Sequence, residues 1–203
     1  MEQHLKAWQY VFSSHGIKIK KQDFYMLEGR GVQAVVHELC DMYGLDLKLA
    51  PSIMQAKIDY YNRIYKPEFY KGLFKLLSYL KNNDIKMAIV TGGNKDRIQR
   101  IIKEHLNGYF SVTVTSDDVK NTKPHAEPYQ KAAQLLGLKP ENCLVIENAP
   151  MGIQSGKNAG MQVLAVETTL NPKYLKQADY IVPNLSMAYD VISNIIHPNG
   201  RMS

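Results

Sequence analysis

The sequence predicts an α/β protein in which a parallel sheet is covered by helices and an all-helical segment comes first. Two observations carry this. Before about residue 70 the apolar residues recur at helical spacing, whereas from about residue 71 helical patterns alternate with short β-rich runs. Such alternation is the rhythm of a parallel sheet with helical crossovers. The apolar runs also end abruptly in polar residues, as strands do where a sheet opens into a ligand crevice.

Taken in order, Leu5, Trp8, Val11 and Phe12 define a first helix, with Gly16 where a helix can stop. Val32, Val35, Val36 and Leu39 mark a second. Ile53, Ala56, Ile58, Tyr60, Tyr61 and Ile64 mark a third, which Pro67 interrupts. Then follow a helix from Leu73 to Leu80 and a strand at 86–90, a helix at 95–105 and a strand at 111–115, a helix at 127–136 and a strand at 143–147, and a helix at 151–159 and a strand at 162–166. Tyr180-Ile181-Val182 reads as a last strand before a helix from about Met187 to Ile196. Gly137, Gly152 and Gly160 lie near helix boundaries, with Pro140 following the first of them.

A chain of 203 residues buries a substantial core, and 45% hydrophobic with 22% charged residues is ordinary for a globular protein. No apolar run approaches the roughly 20 residues of a membrane helix. Met1 to Tyr10 carries charges rather than an apolar signal core, so a cytoplasmic protein is expected. Cys40 and Cys143 belong to no metal-binding cluster and read as buried free thiols. The net charge of +6 is dispersed, its densest cluster being only Lys18, Lys20 and Lys21, which argues against a nucleic-acid surface.

Chemistry concentrates at the strand ends. Leu144-Val145-Ile146 runs into Glu147-Asn148, and Met87-Ala88-Ile89-Val90 runs into Thr91-Gly92-Gly93-Asn94. After the strand at 111–115, a loop brings Lys123-Pro124. The Thr91 hydroxyl and the backbone N–H groups of a Gly-Gly turn at a helix start can hold phosphate oxygens; a helix cap uses the same geometry for Thr91. Glu147 and Asn148 either support a metal ion through hard oxygens or cap the helix near Met151. There is neither a dinucleotide GxGxxG nor a Walker lysine.

The ordered set Thr91, Lys123 and Glu147-Asn148 resembles the haloacid dehalogenase superfamily, in its phosphatase and β-phosphoglucomutase-like branch. Ile89-Val90-Thr91-Gly92-Gly93 is similar to that family's second motif, Thr122-Lys123-Pro124-His125-Ala126-Glu127-Pro128-Tyr129 to its third, and Val145 to Ile153 with Ala159-Gly160-Met161 to its fourth. The resemblance implies a three-layer Rossmann-like parallel sheet core over 71–203, a helical cap over 18–70, and a helix over 1–17 that follows the first motif. It implies Thr91 and Lys123 as catalytic residues, the lysine offsetting charge on an attacked phosphoryl group. It further implies Gly92, Gly93, Asn94, Arg30 and His4 as substrate or phosphate contacts, and Glu147 with Asn148 as the Mg²⁺ site. An acidic residue is usual in the family where Asn148 stands, so weaker metal binding is expected. Gly29-Arg30-Gly31 is similar to the cap segment that reaches the active site; Arg30 either clamps the distal end of the substrate or lies on the cap surface. A structural role for His4 competes equally with a contact role.

The family's first motif, an Asp-x-Asp at the end of a central first strand, is not found among these residues; the adjacent pair Asp117-Asp118 lies in the loop before Lys123. The expected sheet therefore has a gap between the strands ending near Thr91 and Glu147. The expected activity of the complete enzyme is Mg²⁺-dependent hydrolysis of a small phosphorylated metabolite through an aspartyl-phosphate, with this chain itself expected to be inactive. A sugar-phosphate mutase is the alternative within the family, although Val32 stands where that type has a basic residue. A non-catalytic phosphometabolite-binding protein is the alternative outside enzymology. No nucleic-acid or membrane partner is expected, and substrate identity and oligomeric state are not legible.

Overall fold

A computed structural model describes residues 1–197. Its first third is helical: α1 (Glu2–Ser13), α2 (Lys21–Met26), α3 (Val32–Tyr43) and α4 (Ala50–Ile64). Helix α1 forms because Leu5, Trp8, Val11 and Phe12 fall on one stripe, and all four are buried. It ends at Ser13, three residues before Gly16. Helix α3 stops at Gly44, whose φ of 70° is left-handed, while Leu45 N–H bonds back to the Cys40 carbonyl. Pro51 opens α4, where a missing N–H is harmless, and the chain is already extended at Tyr65, before Pro67. Helix α2 has no counterpart in the sequence reading. Its six residues are too few to show a period, although Phe24 and Tyr25 are buried.

The remainder alternates as expected: α5 (Leu73–Asn82), β1 (Ala88–Val90), α6 (Lys95–His105), β2 (Val112–Val114), α7 (Glu127–Leu136), β3 (Leu144–Glu147), α8 (Pro150–Asn158), β4 (Gln162–Val166), β5 (Tyr180–Val182) and α9 (Leu185–Ile196). Every strand pairing is parallel. This is an α/β fold of Rossmann-like type. Helix α9 begins two residues earlier than its apolar pattern suggests, because Asn184 accepts from the N–H groups of Ser186 and Met187 and caps it.

The parallel strands do not form one sheet. Among the described residues β1 pairs with β2 alone, and β3, β4 and β5 form a second sheet in that order. The break falls between the strand ending at Val90 and the strand ending at Glu147, and Lys123 Nζ lies at both ends, bonded to Val90 O and Glu147 Oε1. Among the described residues no strand occupies the break, and Ile146 of β3 is left 40% exposed.

Two apolar cores flank the three-stranded sheet. One joins α1 to α4 with Val145, Val163 and Ala165; the other joins α5 and α9 with Leu164, Val166 and Val182. The period of two along β4 sends alternate residues into different cores. Cys40 is buried as expected, but Cys143 is only half-buried, because it ends a short 3₁₀ turn at the start of β3 where its Sγ reaches the Lys139 carbonyl. Among the described residues no helix is long and apolar enough to cross a membrane.

Candidate active site

The site is organised around Glu147 at the carboxyl end of β3. Its Oε1 accepts from Lys123 Nζ at 2.5 Å and from Tyr129 Oη at 2.7 Å, and its Oε2 accepts from Asn148 N–H at 3.0 Å. Lys123 is 5% exposed and also donates to Val90 O at 3.1 Å. Burial pushes the Glu147 carboxyl upward, but the Lys123 charge and the three hydrogen bonds outweigh it and hold the group below the usual carboxylate range. Burial, reinforced by that carboxylate, raises the Tyr129 phenol well above its ordinary value. Gly152 in α8 lets the helix lie flush on this pair, since a Cβ there would fall 2.1 Å from Glu147 Cδ.

Beside the pair, the chain leaves β1 and turns sharply. Thr91 N–H bonds to Val114 O, and Thr91 Oγ1 accepts from Gly93 N–H at 3.1 Å. Thr91 is therefore one turn ahead of the α6 cap; Asn94 is the cap, and its Oδ1 accepts from Asp96 and Arg97 N–H. The Asn94 side chain is engaged in its own helix, which leaves Thr91 and Gly92 to face the rim, while Gly93 backs onto Arg97 and Ile98 of α6. Likewise, neither Glu147 nor Asn148 caps α8: its N-cap position is Ala149, without a side-chain bond.

The segment after α2 closes over this rim. A Cβ on Gly92 would lie 2.8 Å from Gly29 O, and one on Gly29 would lie 3.3 Å from the Lys123 side chain, so two backbones approach where only glycine fits. Next to Gly29, Glu28 accepts from Asn148 Nδ2 at 3.0 Å and from Thr169 Oγ1 at 3.3 Å. Burial pushes its carboxyl up to about 7 despite those hydrogen bonds. Among the described residues Glu28 has no Lys, Arg or His ion-pair partner, and the Thr168 hydroxyl at the same sheet edge is buried with no partner at all.

Thr91, Lys123, Glu147 and Asn148 thus come together with Gly92 and Gly93. Arg30 pairs with Glu38 at 2.5 Å on the wall of an open cleft of about 690 Å³ that Lys123 also lines, together with Lys120 and His125. His4 lies outside the rim, stacked on Tyr61 at 4.0 Å between Lys57 and Arg97. Sequence reasoning missed Glu28, Tyr129, Lys57 and Arg97. Tyr129 stood within the third motif-like stretch and could have been found there; Glu28 and Lys57 are single polar residues with no local pattern.

The chain matches the family model described as haloacid dehalogenase-like hydrolase over residues 1–166. The protein belongs to that family. It is similar to pyrophosphatase PpaX of Bacillus cereus strain AH820, 33% identical over 152 residues that make up 73% of this chain and 69% of the relative. Among solved structures it is similar to a protein described as a candidate β-phosphoglucomutase from Bacteroides vulgatus, with a TM-score of 0.85 and 27% identity over 98% of this chain and 84% of that one. A candidate phosphoglycolate phosphatase from Lactobacillus delbrueckii shares the fold, with a TM-score of 0.80 and 18% identity over 94% of this chain and 91% of that one. The haloacid dehalogenase-like assignment, the pyrophosphatase relative and the structure described as a candidate β-phosphoglucomutase agree with the resemblance carried by the three motifs.

Proposed function

We propose that the rim is the phosphoryl-transfer site of a Mg²⁺-dependent phosphatase acting on a small phosphorylated metabolite. The observation that carries this reading is the buried Lys123–Glu147 pair held beside the Thr91-Gly92-Gly93 turn. The Thr91 hydroxyl proton and the Gly92 N–H orient phosphate oxygens, the Gly93 N–H being taken by Thr91 Oγ1, and the Lys123 ammonium stabilises charge that develops on them. Tyr129 and Glu147 keep that ammonium in place. Pyrophosphate belongs on the substrate panel because a relative one-third identical is named a pyrophosphatase.

For Mg²⁺ the donors fit unevenly. Glu147 already receives Lys123, Tyr129 and its neighbour's N–H, so both its oxygens are engaged. The Glu28 carboxylate and the Thr169 hydroxyl offer hard oxygens of the type Mg²⁺ takes, whereas Asn148 turns its Nδ2 amide toward both and would have to present its Oδ1 instead to serve as a ligand. Among the described residues no cluster of three His, Cys, Asp or Glu side chains is preformed for a metal. Bound there, the ion would neutralise phosphate oxygens and align them for attack.

An aspartyl-phosphate route needs a carboxylate nucleophile, which the family carries on an Asp-x-Asp segment that these residues do not contain. The test compares the 203-residue chain with the same chain extended ahead of Met1 by an apolar strand ending in Asp-x-Asp. Phosphate release from a panel of phosphomonoesters and pyrophosphate is followed across a Mg²⁺ titration. Activity should appear in the extended form and vanish in its Lys123→Ala variant. Turnover that survives Lys123→Ala would overturn the assignment of the site. A mutase is the second reading, motivated by the likeness to the Bacteroides vulgatus protein; isomerised sugar phosphate in the same assay would favour it over hydrolysis.

A further inference from the structure

Away from the rim, α1, α4 and α6 meet around three basic side chains that have no carboxylate partner. Lys57 of α4 is 5% exposed, yet among the described residues its one hydrogen-bonding contact is His4 Nδ1, at 3.0 Å. Otherwise its ammonium position lies over the Trp8 and Tyr61 rings, at 5.3 and 4.9 Å from their centroids. On the other side of the same imidazole, Arg97 Nη1 lies 3.2 Å from His4 Nε2 and donates to Tyr61 Oη at 2.9 Å. No ion pair of Lys57 or Arg97 with an acidic group occurs among the described residues.

Donor and acceptor parity restricts what this row of three can be. Arginine only donates and is always charged, so His4 Nε2 must accept from it. A neutral imidazole has one accepting and one donating nitrogen, so Nδ1 then carries the proton and faces Lys57 as a donor. An ammonium cannot accept that proton; an amine can. A doubly protonated His4 would set donor against donor at Arg97 and add a third positive charge to the cluster.

We infer that Lys57 is a neutral amine which accepts the Nδ1 proton of His4, fixes that tautomer and so positions the Arg97 guanidinium against the Gly92-Gly93 turn. Gly93 is the contact: a Cβ there would fall 2.5 Å from Arg97 Nη2, so the absent side chain makes room for the guanidinium. The charge balance agrees. Burial first, and the Arg97 charge second, depress Lys57 to about 7, and burial is the first cause that holds His4 well below its usual value, with the Arg97 charge acting in the same direction. The groups facing Lys57 are His4 and Trp8 from α1, Tyr61 from its own helix, and Arg97 from α6, with Tyr65 packed against Tyr61. The importance of the turn rests on the phosphate-binding reading above; the assignment of protons does not.

The experiment is a ¹⁵N NMR measurement of the His4 ring in the labelled chain at about pH 8, with its signals assigned by their loss in His4→Asn, alongside calorimetric titration with inorganic phosphate. Wild type should show the Nδ1–H tautomer. Lys57→Gln, which offers a neutral acceptor, should keep it, whereas the charge-conserving Lys57→Arg should reverse it and weaken phosphate binding about tenfold. A role for positive charge at position 57 predicts the opposite order of the two variants. An Nε2–H or doubly protonated ring in wild type would overturn the inference even if neither variant folds. Unchanged phosphate affinity in a folded Lys57→Arg would overturn the link to the turn. Absence of phosphate binding in wild type with the expected tautomer would overturn the phosphatase reading and leave the proton assignment standing.

Discussion

Lys57 and Lys123 are equally buried, each about 5% exposed, and the chain treats them in opposite ways. Lys123 is matched: a carboxylate, a carbonyl and the Tyr129 ring receive its ammonium. Lys57 meets an imidazole and two aromatic faces, with arginine one residue beyond. A charge taken out of water has to be paired or given up. The site at the sheet edge takes the first course and keeps an ammonium where charge has to be stabilised. The cluster between the helices takes the second, and its lysine acts as an amine.

The sharpest way to break this comparison is Glu147→Gln. It leaves Lys123 buried without its counter-charge, and unfolding in urea should show a loss of about 3–5 kcal/mol. Gly152→Ala is expected to act on the same pair more gently. The new methyl meets the Glu147 carboxylate, which its hydrogen bonds hold in place, and the overpacking should lower stability by about 1–3 kcal/mol. A loss below about 0.5 kcal/mol would show that α8 shifts freely.

Lys57 gives its own signature in pH. Its folded value of about 7 lies below the ordinary 10.5, so between these limits the unfolded chain binds the extra proton. Stability should therefore rise with pH from about 7, by up to about 1.4 kcal/mol per unit, the slope for one proton. The window closes near pH 10, where the raised Tyr61 and Tyr65 phenols begin to act in the opposite direction. Lys57→Gln should flatten the rise in urea titrations between pH 7 and 9.5; an unaltered slope would place the titrating group elsewhere. The smallest effect is expected for Tyr61→Phe, which removes one hydrogen bond to Arg97 while keeping the ring over Lys57 and His4. About 1 kcal/mol should be lost, measured the same way.

These two lysines also mark where the sequence was legible. Lys123 sits in Thr122-Lys123-Pro124, between a strand and a helix whose apolar runs are plain, so its place at the sheet edge followed from topology. So did Thr91 and Glu147, and the break between β1 and β3 fell where the resemblance placed a missing strand. Lys57 sits in Ala56-Lys57-Ile58-Asp59, one polar position in an amphipathic helix, and nothing local separates it from a solvated lysine. Its burial is created by α1 and α6, with His4 lying 53 residues before it in sequence and Arg97 40 residues after it. Glu28 is hidden for the same reason, since Asn148 lies 120 residues away. Helix α2 escaped because six residues carry no period, and Asn94 was assigned to phosphate when its oxygen serves the first turn of α6.

Strand β4 has ladders on both sides, and its side chains alternate between the two apolar cores. Val163 and Ala165 belong to the core shared with the helical first third, while Leu164 and Val166 belong to the one under α5 and α9. All four are buried, at 3% exposure or less. Neither core can loosen without loosening this strand, so its amides can meet deuterium only when both halves open at once. The slowest-exchanging protons of the molecule belong there, and their exchange reports the global unfolding free energy rather than the fraying of any one layer.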